Sequence, residues 1–372
     1  MRMRHLDTLR AMALGLVMVE HFGGRPLNHL IPIGAGSVGV GCFFTLSGFL
    51  ITGILLESFD ARPHARIGAW LDFYARRLLR LMPAYYAVII ALILMGIDPV
   101  AHSWPWDAAY LTNVHIARGA TDTVFWSLSV EEQFYLFWPF AIVFVPRRWL
   151  MATILAMMAF SLLFKLGIVL GGFQPRTATR LLPGHLVLLG AGCLLAVVSY
   201  RTGQSNCFTW YSGRTRRNFT VAAWTALALA ILSWLILPKS GGMVRYFTND
   251  LLCGTFYAWL VLNCAIGVRG SLRPFFDSPV LQYIGRISYG LYLVHNWMPD
   301  VVTKLFGPMP KYQAAPIVLA LTFAVCILSW HFYEKPILRL KRYFWNAPLD
   351  RPRTAPARPE DQVQVSKPAN AY

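Results

Sequence analysis

The sequence predicts an all-α, polytopic membrane protein with about ten transmembrane helices. Three observations lead there. Hydrophobic residues make up 56% of the 372-residue chain and charged residues only 14%, whereas soluble domains carry about 25% charged residues. Apolar runs recur along most of the chain at lengths near the ~20 residues that cross a bilayer. Basic residues alternate in density between successive connections, as they do when an inserted helical chain encodes its own orientation.

The first expected span, Leu6–Phe22, resembles a signal peptide only in position. Asp7 and Arg10 interrupt the apolar stretch, no small-residue cleavage site follows, and further spans come after it. The second span, Val38–Leu56, contains Phe43-Phe44-Thr45-Leu46-Ser47-Gly48-Phe49, small and hydroxyl residues suited to close helix packing. In Ala69–Met82, Trp70, Phe73, Tyr74, Leu78 and Leu81 recur at helical spacing beside Arg76, Arg77 and Arg80, a pattern that predicts an interfacial helix on the cytoplasmic leaflet. A third span, Met82–Ile97, leads to an outer connection over Asp98–Val124 that is rich in Trp and His. The fourth, Phe125–Val145, carries Glu131, Glu132 and Gln133, and the fifth, Trp149–Leu170, holds Lys165 close enough to its end to snorkel. Leu182–Tyr200, Phe219–Leu237, Leu251–Val268, Leu281–Trp297 and Ala315–Phe332 complete the set. Residues 1–345 form one membrane domain, and 346–372, rich in Pro, Ala and charge, read as a disordered cytoplasmic tail.

Of the 34 Lys and Arg residues, 23 fall on segments that share a side with the N-terminus and eight on the opposite side, while Arg10, Lys165 and Arg286 lie in or at helices. This asymmetry predicts an even number of spans with both termini in the cytoplasm. The formal charge of +17 therefore encodes topology, and no separate basic domain is present to bind nucleic acid. The six cysteines lie mostly inside apolar runs without C-x-x-C or metal spacing, and they read as packing residues. No H-E-x-x-H or comparable spacing predicts a metal site. Gly34-Ala-Gly36-Ser-Val-Gly39 matches G-x-G-x-x-G by letter, but it has no preceding strand and is not read as a dinucleotide site.

Arg10 and His21 are the most informative pair. Eleven steps of ~100° place them on one stripe of the first helix, about 16 Å apart along its axis. An ionisable residue at membrane depth is expensive and marks a reaction site or pathway. A histidine that only hydrogen-bonds a neighbouring helix would explain the same residue. The functional reading is a neutral imidazole acting as general base, oriented by Glu131 or Glu132. Arg76 and Arg80, at i and i+4, form one face that would hold lipid headgroups or a polyphosphate such as coenzyme A. Ser288-Tyr-Gly-Leu-Tyr-Leu-Val-His295-Asn296, with Arg286, is a further candidate cavity lining.

Five segments and one single residue, in order, carry a resemblance. They are Leu6-Asp-Thr-Leu-Arg10-Ala, with His21 eleven residues after Arg10; Gly39-Val-Gly-Cys-Phe-Phe-Thr-Leu-Ser-Gly-Phe-Leu-Ile51; Phe73-Tyr-Ala-Arg-Arg-Leu-Leu-Arg80; Trp126-Ser-Leu-Ser-Val-Glu-Glu-Gln-Phe-Tyr-Leu136; and Ser288-Tyr-Gly-Leu-Tyr-Leu-Val-His295. From residue 6 to about 335 the chain resembles acyltransferase family 3, bacterial integral-membrane O-acyltransferases that act on sugars and related hydroxyl acceptors. The resemblance implies acyl-CoA as co-substrate with no bound cofactor, and a glycan or glycolipid acceptor such as lipopolysaccharide, exopolysaccharide or a lipo-oligosaccharide. It implies residence in the bacterial inner membrane. It assigns the chemistry to His21 and Glu131, and acyl-CoA binding to Arg10, Arg76 and Arg80. Acylation of a macrolide-type small molecule is an alternative within the same chemistry. A secondary transporter or proton relay would also use buried Arg, His and Glu, although no inverted repeat is visible. A non-catalytic protein whose arginines bind anionic lipid is the third reading.

Overall fold

A computed structural model describes residues 3–22, 34–62, 64, 66–173, 175–201, 208, 210–236 and 242–340. The expected tail, 346–372, lies outside these residues. Among the described residues every element is helical and no strand occurs. In chain order the helices are α1 (Arg4–Phe22), α2 (Ala35–Ala61), α3 (Arg66–Leu94), α4 (Val100–Ala108), α5 (Thr112–Ala117), α6 (Phe125–Phe144), α7 (Arg147–Leu170) and α8 (Pro175–Arg180). A short 3₁₀ turn, Leu182–His185, precedes α9 (Leu186–Arg201). Then come α10 (Gly213–Ile236), α11 (Gly242–Ile266), α12 (Arg273–Phe276), α13 (Pro279–Arg286), α14 (Ser288–His295), α15 (Met298–Phe306) and α16 (Lys311–Leu328). A π-helical turn, Ser329–Glu334, joins α16 to α17 (Lys335–Arg339).

Among the described residues, six helices are long and apolar enough to cross a membrane: Ala35–Ala61, Arg66–Leu94, Arg147–Leu170, Leu182–Tyr200, Gly213–Ile236 and Gln313–Arg339. Phe247–Ile266 with Gly270–Phe276 makes a seventh if a pair bent by 73° counts as one span. The protein is thus a multi-pass helical membrane protein, and length and composition alone do not confirm the expected count of about ten spans. The difference has physical causes. Helix α1 carries Arg4, Asp7, Arg10 and Glu20, and α6 carries Glu131, Glu132 and Gln133, so both are too polar to pass on composition. The expected ninth span breaks at Ile287 into two eight-residue helices.

Two large apolar clusters fill most of the interior, beside a small third one of Met298, Val302 and Val318. One joins α2, α6, α9 and α11 through Phe44, Phe49, Leu55, Val130, Phe134, Leu189 and Leu262. The other joins α1, α3, α14 and α16 through Leu14, Val17, Tyr85, Ile89, Leu291 and Cys326. Helices α2 and α9 cross backbone to backbone: a Cβ on Gly48 would overlap the Leu189 carbonyl oxygen, and one on Gly192 the Thr45 carbonyl oxygen. A Cβ on Gly285 would strike the backbone of Asp7, so α13 rests directly on the helix that carries Arg10. All five described cysteines are buried and free, as packing residues should be; Cys207 lies outside the described residues.

Two local expectations are corrected. The Ala69–Met82 segment is not a separate interfacial helix, because it runs without a break into the following apolar stretch as the 29-residue α3, with Pro83 inside. Lys165 does not snorkel: it is 1% exposed and forms an ion pair with Asp250. The outer connection, Asp98–Val124, is itself folded, with α4 and α5 inside it. Asp107, fully buried, accepts hydrogen bonds from Ser103 (2.8 Å) and Thr112 (2.7 Å), while Gln133 and Asn113 bond reciprocally and tie α5 to α6.

Candidate active site

Helix α1 has a different chemistry at each end. At its N-terminal end a cavity of about 720 Å³ is lined by Arg10, Arg80, Arg286, Asp7, Glu334 and Tyr289, among others. Its size falls within the ~300–1,000 Å³ of small-molecule sites. Arg10 donates to Asp7 at 2.7 Å, a bond between residues one turn apart that holds the guanidinium against α1. Arg80 and Arg286 are exposed into the cavity. Three guanidinium groups and Lys335 against Asp7 and Glu334 leave the wall cationic, suited to phosphate groups. The π-helical turn delivers Trp330, His331 and Glu334 to the same cavity, where Glu334 accepts from Ser329 at 3.0 Å. Such turns recur at functional sites because one extra residue re-aims the side chains of the helix.

Next to this cavity, Ser47 donates to Glu131 at 2.7 Å, and both residues are half-buried. Arg10 and Arg77 lie within electrostatic reach of Glu131. The neighbouring carboxylate, Glu132, accepts from Arg77 at 3.1 Å, and that guanidinium also sits over the Tyr135 ring. The two adjacent carboxylates of α6 therefore serve the arginine end of the molecule.

His21 occupies the last turn of α1, at the other end. It is exposed rather than buried within the bundle. Its partner is His295, the last residue of α14 and fully buried: His21 Nδ1 lies 2.9 Å from His295 Nε2. The rings are within 12° of parallel, with centroids 5.0 Å apart. That separation exceeds the N···N distance by about two ring radii, so the rings meet edge to edge, as a hydrogen bond between them requires. His295 Nδ1 is 2.7 Å from the Tyr292 carbonyl oxygen, and the Tyr292 hydroxyl pairs with Ser127 at 2.6 Å. Nearby, Arg180 stacks 4.5 Å above the Trp126 ring and bonds Asp122. Among the described residues, no group of three or more His, Cys, Asp or Glu side chains is placed to hold a metal ion.

The profile of the acyltransferase domain matches residues 3–334. The chain belongs to acyltransferase family 3. It is 26% identical to the peptidoglycan O-acetyltransferase OatA of Listeria monocytogenes over 89% of its own length and 55% of the relative's. It is 27% identical to a putative O-acetyltransferase of Staphylococcus aureus, covering 92% and 58%. It is also 27% identical to the putative peptidoglycan O-acetyltransferase YrhL of Bacillus subtilis, covering 89% and 54%. The chain thus spans somewhat more than half the length of these relatives. No solved structure matches it.

On this family scaffold the structure regroups the candidate residues. It brings Arg10 and Arg80 to one cavity. It leaves Arg76 off the cavity wall, half-buried beside Asp72 and Arg62. It places Glu131 with Ser47 and the arginines, whereas the imidazole that meets His21 belongs to His295. The family motif of α14 flagged His295 without indicating its partner. Glu334 was missed; its one sequence signal was a carboxylate just after the last apolar run.

Proposed function

We propose that the chain is a membrane O-acyltransferase that moves an acyl group, acetyl by preference, from acyl-CoA to a hydroxyl of a surface or secreted glycan or glycolipid. The observation that carries this reading is the polarity of α1. A cationic cavity sized for a phosphate-bearing ligand lies at one end, and an accessible imidazole lies on the same stripe about 16 Å further along the helix. Acyl-CoA matches that polarity, with its phosphates on Arg10 and Arg80 and its pantetheine arm extended along α1 toward His21. His21 takes the proton of the acceptor hydroxyl, and the hydroxyl oxygen attacks the thioester carbonyl. The C–S bond breaks, and the leaving thiolate recovers the proton. Holding both substrates together supplies most of the acceleration, and general base catalysis adds about 10²–10⁴-fold. Glu131 acts at the arginine end, where it holds Ser47 and offsets the guanidinium charge.

In this reading the arginine end faces the cytoplasm of a bacterium, the protein resides in the inner membrane with both termini inside, and the histidine end meets the acceptor. The biased distribution of basic residues supports that orientation. The names of the relatives favour peptidoglycan over lipopolysaccharide or exopolysaccharide as acceptor.

The test uses full-length protein in nanodiscs with acetyl-CoA, alongside mass spectrometry of envelope glycans from a deletion strain. The reading expects acetyl-CoA binding, and glycans that lack one acetyl increment until wild-type protein is restored. Unchanged glycans together with ion or solute flux into vesicles lacking CoA would replace it with the transporter reading.

A further inference from the structure

We propose that His295 is a positioning residue that fixes the tautomer of His21, leaving His21 Nε2 as a bare lone pair available to a hydroxyl. The assignment follows from which atoms can donate. His295 Nδ1 lies 2.7 Å from the Tyr292 carbonyl oxygen and 3.2 Å from that of Leu291. Carbonyl oxygens only accept, so Nδ1 carries the proton. A neutral His295 then has an unprotonated Nε2, and the atom 2.9 Å from it is His21 Nδ1. That contact is a hydrogen bond only if His21 Nδ1 is protonated. His21 Nε2 is left without a proton, on a residue that is exposed while His295 is fully buried.

Three features keep the relay rigid. His295 sits on the last turn of α14 and bonds the carbonyls of its own helix, so its ring cannot rotate without losing them. Phe22 meets the His295 ring edge-on, with centroids 6.1 Å apart. The Tyr292 hydroxyl is tied to Ser127 of α6. When His21 Nε2 takes the acceptor proton, the resulting imidazolium keeps its Nδ1–H on His295 Nε2. His295 thus does with a neutral ring what a buried carboxylate does in a Ser-His-Asp triad: it selects the tautomer and steadies the charged intermediate. It does so without placing a permanent negative charge beside the bilayer. The base role rests on the acyl-transfer reading, whereas the tautomer does not.

The experiment is ¹⁵N NMR of histidine-labelled, full-length protein in nanodiscs, with His21 assigned by the signal lost in His21→Gln. In the wild type, the proton is expected on Nδ1 of His21 and none on Nε2. His295→Leu should move that proton to Nε2 and lower acetyl transfer from acetyl-CoA about 10²-fold or more, the range of a lost general base. His295→Gln, whose side-chain carbonyl oxygen can occupy the position of Nε2, should retain the Nδ1–H tautomer and most of the activity. A wild-type His21 protonated on Nε2, or a tautomer unchanged by His295→Leu, would overturn the proposal. Should His295→Leu fail to fold, the wild-type and His295→Gln spectra decide between the outcomes. Should the expected tautomer appear in a protein that transfers no acetyl group, the reading of the reaction fails and the positioning role stands.

Discussion

Replacing Arg80 by alanine probes the arginine end quantitatively. Arg80 opens into the cavity beside Arg10 and Arg286, where a guanidinium can grip a phosphate through two parallel N–H···O bonds. A hydrogen bond to a charged group contributes about 1.5–3 kcal/mol, and each 1.4 kcal/mol is a factor of ten in Kd, so the loss spans about 10–150-fold. The cavity is open to water and ions, which screens the interaction and places Arg80→Ala near the lower end, about 10–30-fold. Arg10→Ala should be at least as damaging. It removes a hydrogen-bonding partner of Asp7, a 6% exposed carboxylate that lines the same cavity as the bound phosphates. Arg76→Ala should change affinity less than about twofold, because Arg76 stands off the cavity wall. The assay is calorimetric binding of coenzyme A to protein in nanodiscs at two salt concentrations, with weaker binding at the higher one. Equal losses for Arg76→Ala and Arg80→Ala, or no loss for Arg80→Ala, would refute the assignment of the cavity.

The fold makes further predictions. Gly192→Leu should push α2 and α9 apart at their closest crossing, at a cost of at least the ~1–3 kcal/mol of an overpacked core, visible as a lowered Tm in detergent. Lys165→Met strands the Asp250 carboxylate beside an apolar side chain. It should destabilise by about 3–5 kcal/mol, and Asp250→Leu in the same chain should restore much of the loss. Asp277, exposed at the end of α12, has its carboxyl held below the ordinary range by hydrogen bonds from His5 and Arg273. A depressed carboxyl stabilises the folded state above its unfolded value and loses that contribution as pH falls through its folded value. Asp277→Asn should therefore lower Tm at neutral pH, with the difference shrinking as the medium is acidified.

How much of this was legible in the sequence depended on whether a signal was local. Helix type and the approximate position of every apolar run could be read directly, because hydropathy is a property of consecutive residues. The number of membrane-competent helices could not. The polar residues of α1 and α6 and the break at Ile287 depend on neighbours that shelter them, such as Asp7 against Gly285. At the site, the shared stripe of Arg10 and His21 followed from helical geometry alone. The grouping of Arg80 with Arg10 did not, since α1 and α3 meet only through tertiary packing. The spacing of Arg76 and Arg80 correctly put them near one face, but α3 is long and only its Arg80 level reaches the cavity. Glu131 lay on the expected helix at the wrong depth for His21. The residue that meets His21 lies 274 positions away in sequence, a separation that no local pattern reports.

The central claim is that an acyl group travels from a CoA thioester held by Arg10 and Arg80 to a hydroxyl activated by His21. Its most direct measurement is the fate of isotopically labelled acetyl-CoA supplied to envelope vesicles carrying either wild-type protein or His21→Ala at equal abundance. The account predicts label in the glycan fraction for wild type, essentially none for His21→Ala, and undiminished CoA binding by the variant. Full labelling by His21→Ala would contradict it.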